Sequence, residues 1–167
     1  MSRYVIETNV WVMAAKSGKV NEISDEAEID ATELCLNWLR QFAQSHDQMV
    51  VDSALIYRIL KEYLHNLRAQ SLARDLLNQL ERQPRDRIVD IAIKVDHDGY
   101  ALVPTHLAIA DRNDRKFIAV VLGCAPDQPP IVNGTDTDWD KEKDRLIVGG
   151  IDIHELCPHY IRQKRKS

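Results

Sequence analysis

The stretch Tyr4-Val5-Ile6-Glu7-Thr8-Asn9-Val10 decides how the rest of the chain is read. Three residues suited to a short buried strand run straight into a carboxylate, and the apolar run from Val10 to Ala15 reads as a turn of helix packed under a sheet. A charged residue that ends a buried strand needs a partner or a cation. The same order recurs further on. Met49-Val50-Val51 ends in Asp52-Ser53, which can cap the following helix, and that helix carries the stripe Leu55, Ile56, Ile59, Leu60, Tyr63, Leu64 and Leu67. Ile131-Val132 is a brief strand running into Gly134-Thr135-Asp136-Thr137-Asp138. Strands alternating with helices predict an α/β fold, a three-layer α/β/α arrangement with a mostly parallel central sheet. Ligands of such sheets bind beyond the carboxyl ends of the strands, where these acids fall.

Working outward, Gly18 closes the first helix, and the acidic residues 18–33 read as a surface loop or extension. Leu34, Trp38, Leu39 and Phe42 share one helix face that starts near Asp30 as a cap. A further helix with Leu72, Leu76, Leu77 and Leu80 stops near Pro84. Residues 88–103 read as an inserted hairpin: Ile88 to Ile93 as a strand, Asp98-Gly99 as a turn, then Tyr100 to Val103. Phe117, Ile118, Val121 and Leu122 mark a helix with Asp111 near its start, and the last strand is either Leu146-Ile147-Val148 or Ile151-Asp152-Ile153. The expected organisation is one domain over residues 1–160 with a basic tail at 161–167.

Composition narrows the function classes. At 167 residues, 44% apolar and 29% charged, the chain has the balance of a globular protein that buries its own core. No stretch approaches the roughly 20 apolar residues of a membrane span, and the start has no secretory signal pattern, so a cytoplasmic protein without membrane contact is expected. Cys35, Cys124 and Cys157 form neither a disulfide framework nor a zinc motif and read as small buried hydrophobes. A net charge of −4 argues against a protein that coats phosphates. The placement of charge softens this: Glu22 to Glu33 holds six acids and no base, whereas the last six residues hold four bases and no acid. No glycine-rich phosphate loop is present, the histidines form no local ligand pair, and Trp11, Trp38 and Trp139 read as packing residues.

The acids Glu7, Glu62, Asp111, Asp114, Asp136 and Asp138 are the candidates for chemistry. Carboxylates gathered at one edge would hold magnesium or manganese, hard cations that favour oxygen ligands, and would repel one another without them. Spacing alone leaves other readings open. Asp111 and Asp114 could cap a helix, Asp136 and Asp138 could be turn residues, and Glu62 could face solvent beside Arg58 or Asn66.

Taken together these pieces resemble the PIN domain family, small nucleases that include the toxins of many bacterial toxin–antitoxin pairs. The family opens with a strand followed by Asp-Thr-Asn, and Val5-Ile6-Glu7-Thr8-Asn9-Val10 is similar; Leu60-Lys61-Glu62-Tyr63-Leu64 resembles its central-helix Glu. Asp111-Arg112-Asn113-Asp114-Arg115-Lys116-Phe117 resembles Asp-x-x-Asp-x-x-Phe, with Asp114 the better match, and Gly134-Thr135-Asp136-Thr137-Asp138-Trp139 resembles the family's last acidic turn. The likeness spans residues 4 to about 157. It implies a metal-dependent endoribonuclease, a toxin or defence nuclease, with Glu7, Glu62, Asp114 and Asp136 catalytic. One or two Mg2+ or Mn2+ ions would be held by these four with Asp111 and Asp138, supported by Thr8, Asn9 and Thr135. An RNA substrate, an antitoxin or other protein partner and a homodimer are implied as well. Arg112, Arg115 and Lys116 flank the acids and could meet phosphates or face solvent. Glu7 departs from the usual Asp, reaching about 1.5 Å further. A natural Glu7 with the pocket adjusted around it and a substitution made to quiet a toxic enzyme are the two readings of that departure, and a catalytically weakened module acting by RNA or protein binding is the alternative function.

Overall fold

The structure, a computed structural model, describes residues 1–53 and 57–166. Five short strands form one sheet: β1 (Arg3–Ile6), β2 (Gln48–Asp52), β3 (Ile88–Ile91), β4 (Ile131–Asn133) and β5 (Ile153–Glu155). Their order is β3-β2-β1-β4-β5 and every pairing is parallel, with Tyr4 opposite Met49, Val50 opposite Val89 and Ile6 opposite Val132. Val5, Ile6, Met49, Val50, Val51, Ile131 and Val132 are fully buried, as strands covered on both faces require. Helices flank the sheet in the three-layer α/β/α arrangement expected from the alternation of elements. They are α1 (Thr8–Ala15), α2 (Glu26–Gln44), α3 (Arg58–Asn66), α4 (Leu72–Glu81), the single turn α5 (Pro84–Arg87), α6 (Arg115–Gly123), α7 (Thr137–Val148) and α8 (Pro158–Lys166). Helix α6 lies against β1, β2 and β4, whereas α1, α2 and α4 pack on one another. Buried apolar side chains from Val5 to Tyr160 make one connected core.

The chain leaves the centre of the sheet in opposite directions from β1, to β2 on one side and β4 on the other, so a topological switch point lies between β1 and β4. That crevice is where open α/β sheets bind ligands.

Several boundaries differ from the sequence reading. Residues 18–33 are not a loop. A short 3-10 helix spans Lys16–Glu22, and α2 begins at Glu26 rather than near Asp30 because the Asp25 carboxylate accepts the Ala27 N–H at 3.0 Å. Glu26 and Glu28 then lie in the first turn, where the helix dipole favours acids. The Ile88 stretch joins the sheet as its edge strand. The hairpin is narrower than 88–103, closed by the Asp96 N–H to the Tyr100 carbonyl and the Leu102 N–H to the Lys94 carbonyl. Its turn is Asp98-Gly99, and Gly99 adopts φ +85°, which a side chain would disfavour. Leu146–Val148 end α7 instead of forming a strand, leaving β5 as the last strand. The expected basic tail is helical to Lys166, anchored by buried Tyr160 and Ile161 and by an Arg165–Asp140 ion pair of 2.6 Å.

In the stripe before α3, Leu55 and Ile56 lie outside the described residues, while Ile59, Tyr63 and Leu67 are buried. Asp52 caps this helix as its sequence suggested, accepting the Arg58 and Ile59 N–H groups at 2.9 and 2.8 Å. Trp11 and Trp139 are buried in the core, and Trp38 stacks on Phe42. Cys35 and Cys157, distant in sequence, meet with their sulfurs 3.8 Å apart as free thiols. Among the described residues no helix is long and apolar enough to cross a membrane.

Candidate metal centre

Four separated pieces of chain deliver acids to the carboxyl edge of the sheet. Glu7 follows β1 directly, and its carboxylate caps α1 by accepting the Asn9 N–H at 2.7 Å. Asp136 follows β4 and caps α7 by accepting the Asp138 N–H at 2.8 Å. Asp114 stands at the start of α6 without a capping bond from its side chain. Glu62 projects from α3, whose position is set by the buried Tyr63 hydroxyl donating to the Ile6 carbonyl at the end of β1.

The electrostatics show that these acids share one neighbourhood. Glu7 is 4% exposed, and burial pushes its carboxyl well above the usual range, helped by the charges of Asp114, Asp136 and Glu62. Asp114 is pushed up to about 7, first by burial, with Asp111, Asp136 and Glu62 adding to it and Lys116 opposing it. Asp136 is raised as well, by burial and then by Asp138 and Asp111, against the Asp138 N–H and Lys141. Like charges gathered in a desolvated place raise one another's proton affinity.

The supporting residues hold both acids and turns: the Asn9 N–H donates to Glu7. The Thr8 hydroxyl donates to Glu62 at 2.5 Å and so orients Glu62. The Asn9 side-chain oxygen accepts the Gly134 and Thr135 N–H groups at 2.9 and 3.1 Å, tying the turn after β4 to the end of β1. Thr135 enters that contact through its backbone. Gly134 is required there, because a Cβ would lie 2.7 Å from the Asn9 oxygen and 3.1 Å from the Cys35 sulfur. Asp111 and Asp138 are at the rim: Asp111 accepts the Asn113 N–H, and the largely exposed Asp138 carboxylate pairs with Lys141 at 2.7 Å.

Two residues passed over or misplaced by sequence reasoning shape the centre. Asn133, fully buried at the end of β4, donates to the Asp136 carbonyl and accepts the Asp136 N–H, fixing the acid's backbone. Lys116 lies among the acids and does not face solvent. Its side chain is 5% exposed, and its ammonium lies 2.8 Å from Glu62 and 4.0 Å from Asp114 while donating to the Asn113 carbonyl. The signal was a lysine opening an otherwise apolar run, Lys116-Phe117-Ile118-Ala119-Val120-Val121.

A hard divalent cation fits this donor set in chemistry: the available atoms are carboxylate oxygens, and Glu7 has no cationic partner among the described residues. The side chains as they stand do not form a closed cage, since no three His, Cys, Asp or Glu among the described residues sit close enough to share one ion. Glu62 is already engaged by Thr8 and Lys116, which leaves Glu7 as the donor with no offsetting cation, while Lys116 and Lys141 offset Asp114 and Asp136 only in part. In comparisons with known proteins, the chain matches no family model, no curated protein and no solved structure.

Proposed function

We propose that this chain is a PIN-like metal-dependent endoribonuclease that hydrolyses RNA phosphodiester bonds at the carboxyl edge of its sheet. The supporting observation is the convergence of Glu7, Glu62, Asp114 and Asp136, from four different parts of the chain, within electrostatic reach of one another at the switch point between β1 and β4. A structural role explains capping by Glu7 and Asp136, but it does not explain why Glu7 and Asp114 are held where burial and neighbouring acids raise their proton affinity. The chemistry that one or two Mg2+ or Mn2+ ions would supply here is Lewis acidity, for activating an attacking water and offsetting charge on the leaving oxygen. Glu7, Asp114 and Asp136 would hold the cation once drawn together around it, Glu62 is oriented by Thr8, and Lys116 offers an ammonium beside Glu62. A cytoplasmic toxin or defence nuclease, restrained by a protein partner and working as a homodimer, is the setting the sequence resemblance favours.

A second reading is a catalytically weakened module that acts by RNA or protein binding. It draws support from Lys116, which already neutralises Glu62, and from the longer reach of Glu7. Cleavage of labelled single-stranded and structured RNA in Mg2+ or Mn2+ separates the two. The chain as it stands should cleave, and activity should be lost in EDTA and fall by about a hundredfold or more in Asp114→Asn, the scale of a misassembled site. Cleavage by a Glu7→Asp variant alone would favour the weakened module, and equal activity in Asp114→Asn would remove these acids from the mechanism.

A further inference from the structure

Beside Glu62 the carboxyl edge opens into a cleft of about 190 Å³, walled by Arg58, Tyr100, Arg112, Asn113 and Lys116. Its outer wall is the 94–102 hairpin. The Arg112 guanidinium lies 4.0 Å over the Tyr100 ring and is held by Asp96 at 2.8 Å, which turns it into a fixed feature of that wall. Its inner wall is the first turn of α3, where Arg58 faces the hairpin turn so closely that a Cβ on Gly99 would lie 2.7 Å from a guanidinium nitrogen.

Arg58 is the unusual member. Its Nε–H is buried with no hydrogen-bond partner, and no carboxylate pairs with its guanidinium among the described residues. An unneutralised guanidinium in a partly desolvated wall is costly unless the cleft supplies an anion. Of the three cations in the lining, Arg112 is paired with Asp96 and Asp98 and Lys116 with Glu62, so Arg58 is the one whose charge is left for a ligand. Planar guanidinium groups match the oxygens of phosphate in two-point contacts. The Tyr100 face is covered by Arg112, so the cleft offers charge and not a stacking platform for a base.

We propose that this cleft seats a non-scissile backbone phosphate of a bound RNA strand, with Arg58 as its principal contact. This rests on the nuclease reading, because the cleft shares Glu62 and Lys116 with the carboxylate edge and so would fix the strand's register there.

The test is binding of a labelled single-stranded RNA by fluorescence anisotropy in EDTA, across a salt series, with the full chain and Arg58→Met. The variant should bind about tenfold or more weakly, as for loss of one charged contact. Its log–log salt slope should be shallower by about 0.7, the value for one single-strand phosphate. Equal affinity and slope in both proteins would overturn the proposal. Should Arg58→Met fail to fold, the Arg58 Nε–H NMR signal of the unaltered protein decides. A shift that saturates with RNA supports the cleft, and an unmoved signal with RNA bound rejects it. A response to inorganic phosphate alone, with none to RNA, would assign the cleft to a small free anion and likewise overturn the proposal. RNA affinity that depends on Arg58 in a protein that cleaves nothing with any metal would keep the cleft and discard the nuclease. Metal-dependent cleavage with Arg58-independent binding would do the reverse.

Discussion

The two edges of the sheet both bury charge, and they treat it in opposite ways. At the amino edge, Arg87 is 6% exposed just before β3, and its guanidinium donates to the carbonyls of Asp47, Ala43 and Phe42 at 3.0, 3.0 and 2.7 Å. It also lies over the Phe42 ring. Its donors are spent on backbone carbonyls at the end of α2 and the start of β2, so it works as a staple. At the carboxyl edge, Glu7 is buried about as deeply, yet its carboxylate faces other acids and is forced toward its protonated form. A buried charge whose hydrogen bonds are complete stabilises a fold, and one whose neighbours oppose it does so only with something added. That asymmetry is why the chemistry is proposed for the carboxyl edge and not for the amino edge.

The comparison can be broken most severely at the amino edge. Arg87→Met takes a charged donor from three carbonyls, of which that of Phe42 keeps Ser45, and should cost roughly 3–5 kcal/mol, the range for breaking a buried charged contact. Chemical denaturation would read this, and metal binding by the folded fraction should be unchanged. A smaller effect is expected from Lys116→Met, which strands Glu62 beside Asp114; a loss of about 2 kcal/mol in EDTA follows from a pair that is only partly buried. Added Mn2+ should restore part of that loss, and a variant indifferent to Mn2+ would show that Lys116 and a metal do not serve the same acids.

The smallest effect has the opposite sign. Asp114→Asn and Glu7→Gln should each raise the stability of the metal-free protein by about 1 kcal/mol near neutral pH, as removal of repulsion at a functional site does. The pH dependence follows from the Asp114 carboxyl, raised from 3.8 to about 7. Well below 3.8, the carboxyl's ordinary value, the folded and unfolded chains both hold its proton and nothing is lost. As pH rises toward 7 the unfolded chain ionises first, so stability falls across that window and the loss is complete above it. The advantage of Asp114→Asn over the unaltered protein should therefore grow between pH 4 and 7 in thermal melts, and a constant difference would place the carboxyl in an ordinary environment.

Much of this arrangement was legible in the sequence. Tyr4-Val5-Ile6 running into Glu7, and Ile131-Val132 running toward Asp136, placed two acids at one sheet edge because parallel strands share a direction. Asp52 announced its helix cap. What escaped notice depends on contacts across the fold. Lys116 sits in an apolar run, and only the approach of α3 to α6 reveals that its ammonium meets Glu62. Asn133 and Arg87 give no periodic signal, since their partners are backbone groups on other elements. The early start of α2 was hidden by its acids, which read as a loop until Asp25 is seen capping them. The Leu146 stretch shows the limit of short apolar runs, which fit the end of a helix as well as a strand.

The most direct measurement is calorimetric titration of the metal-free protein with Mn2+, beside Asp114→Asn and Arg87→Met. The account predicts saturable binding in the unaltered protein, the same affinity in folded Arg87→Met, and loss of binding in Asp114→Asn. No saturable binding in the unaltered protein, or equal binding in Asp114→Asn, would contradict the assignment of the carboxyl edge as a metal centre.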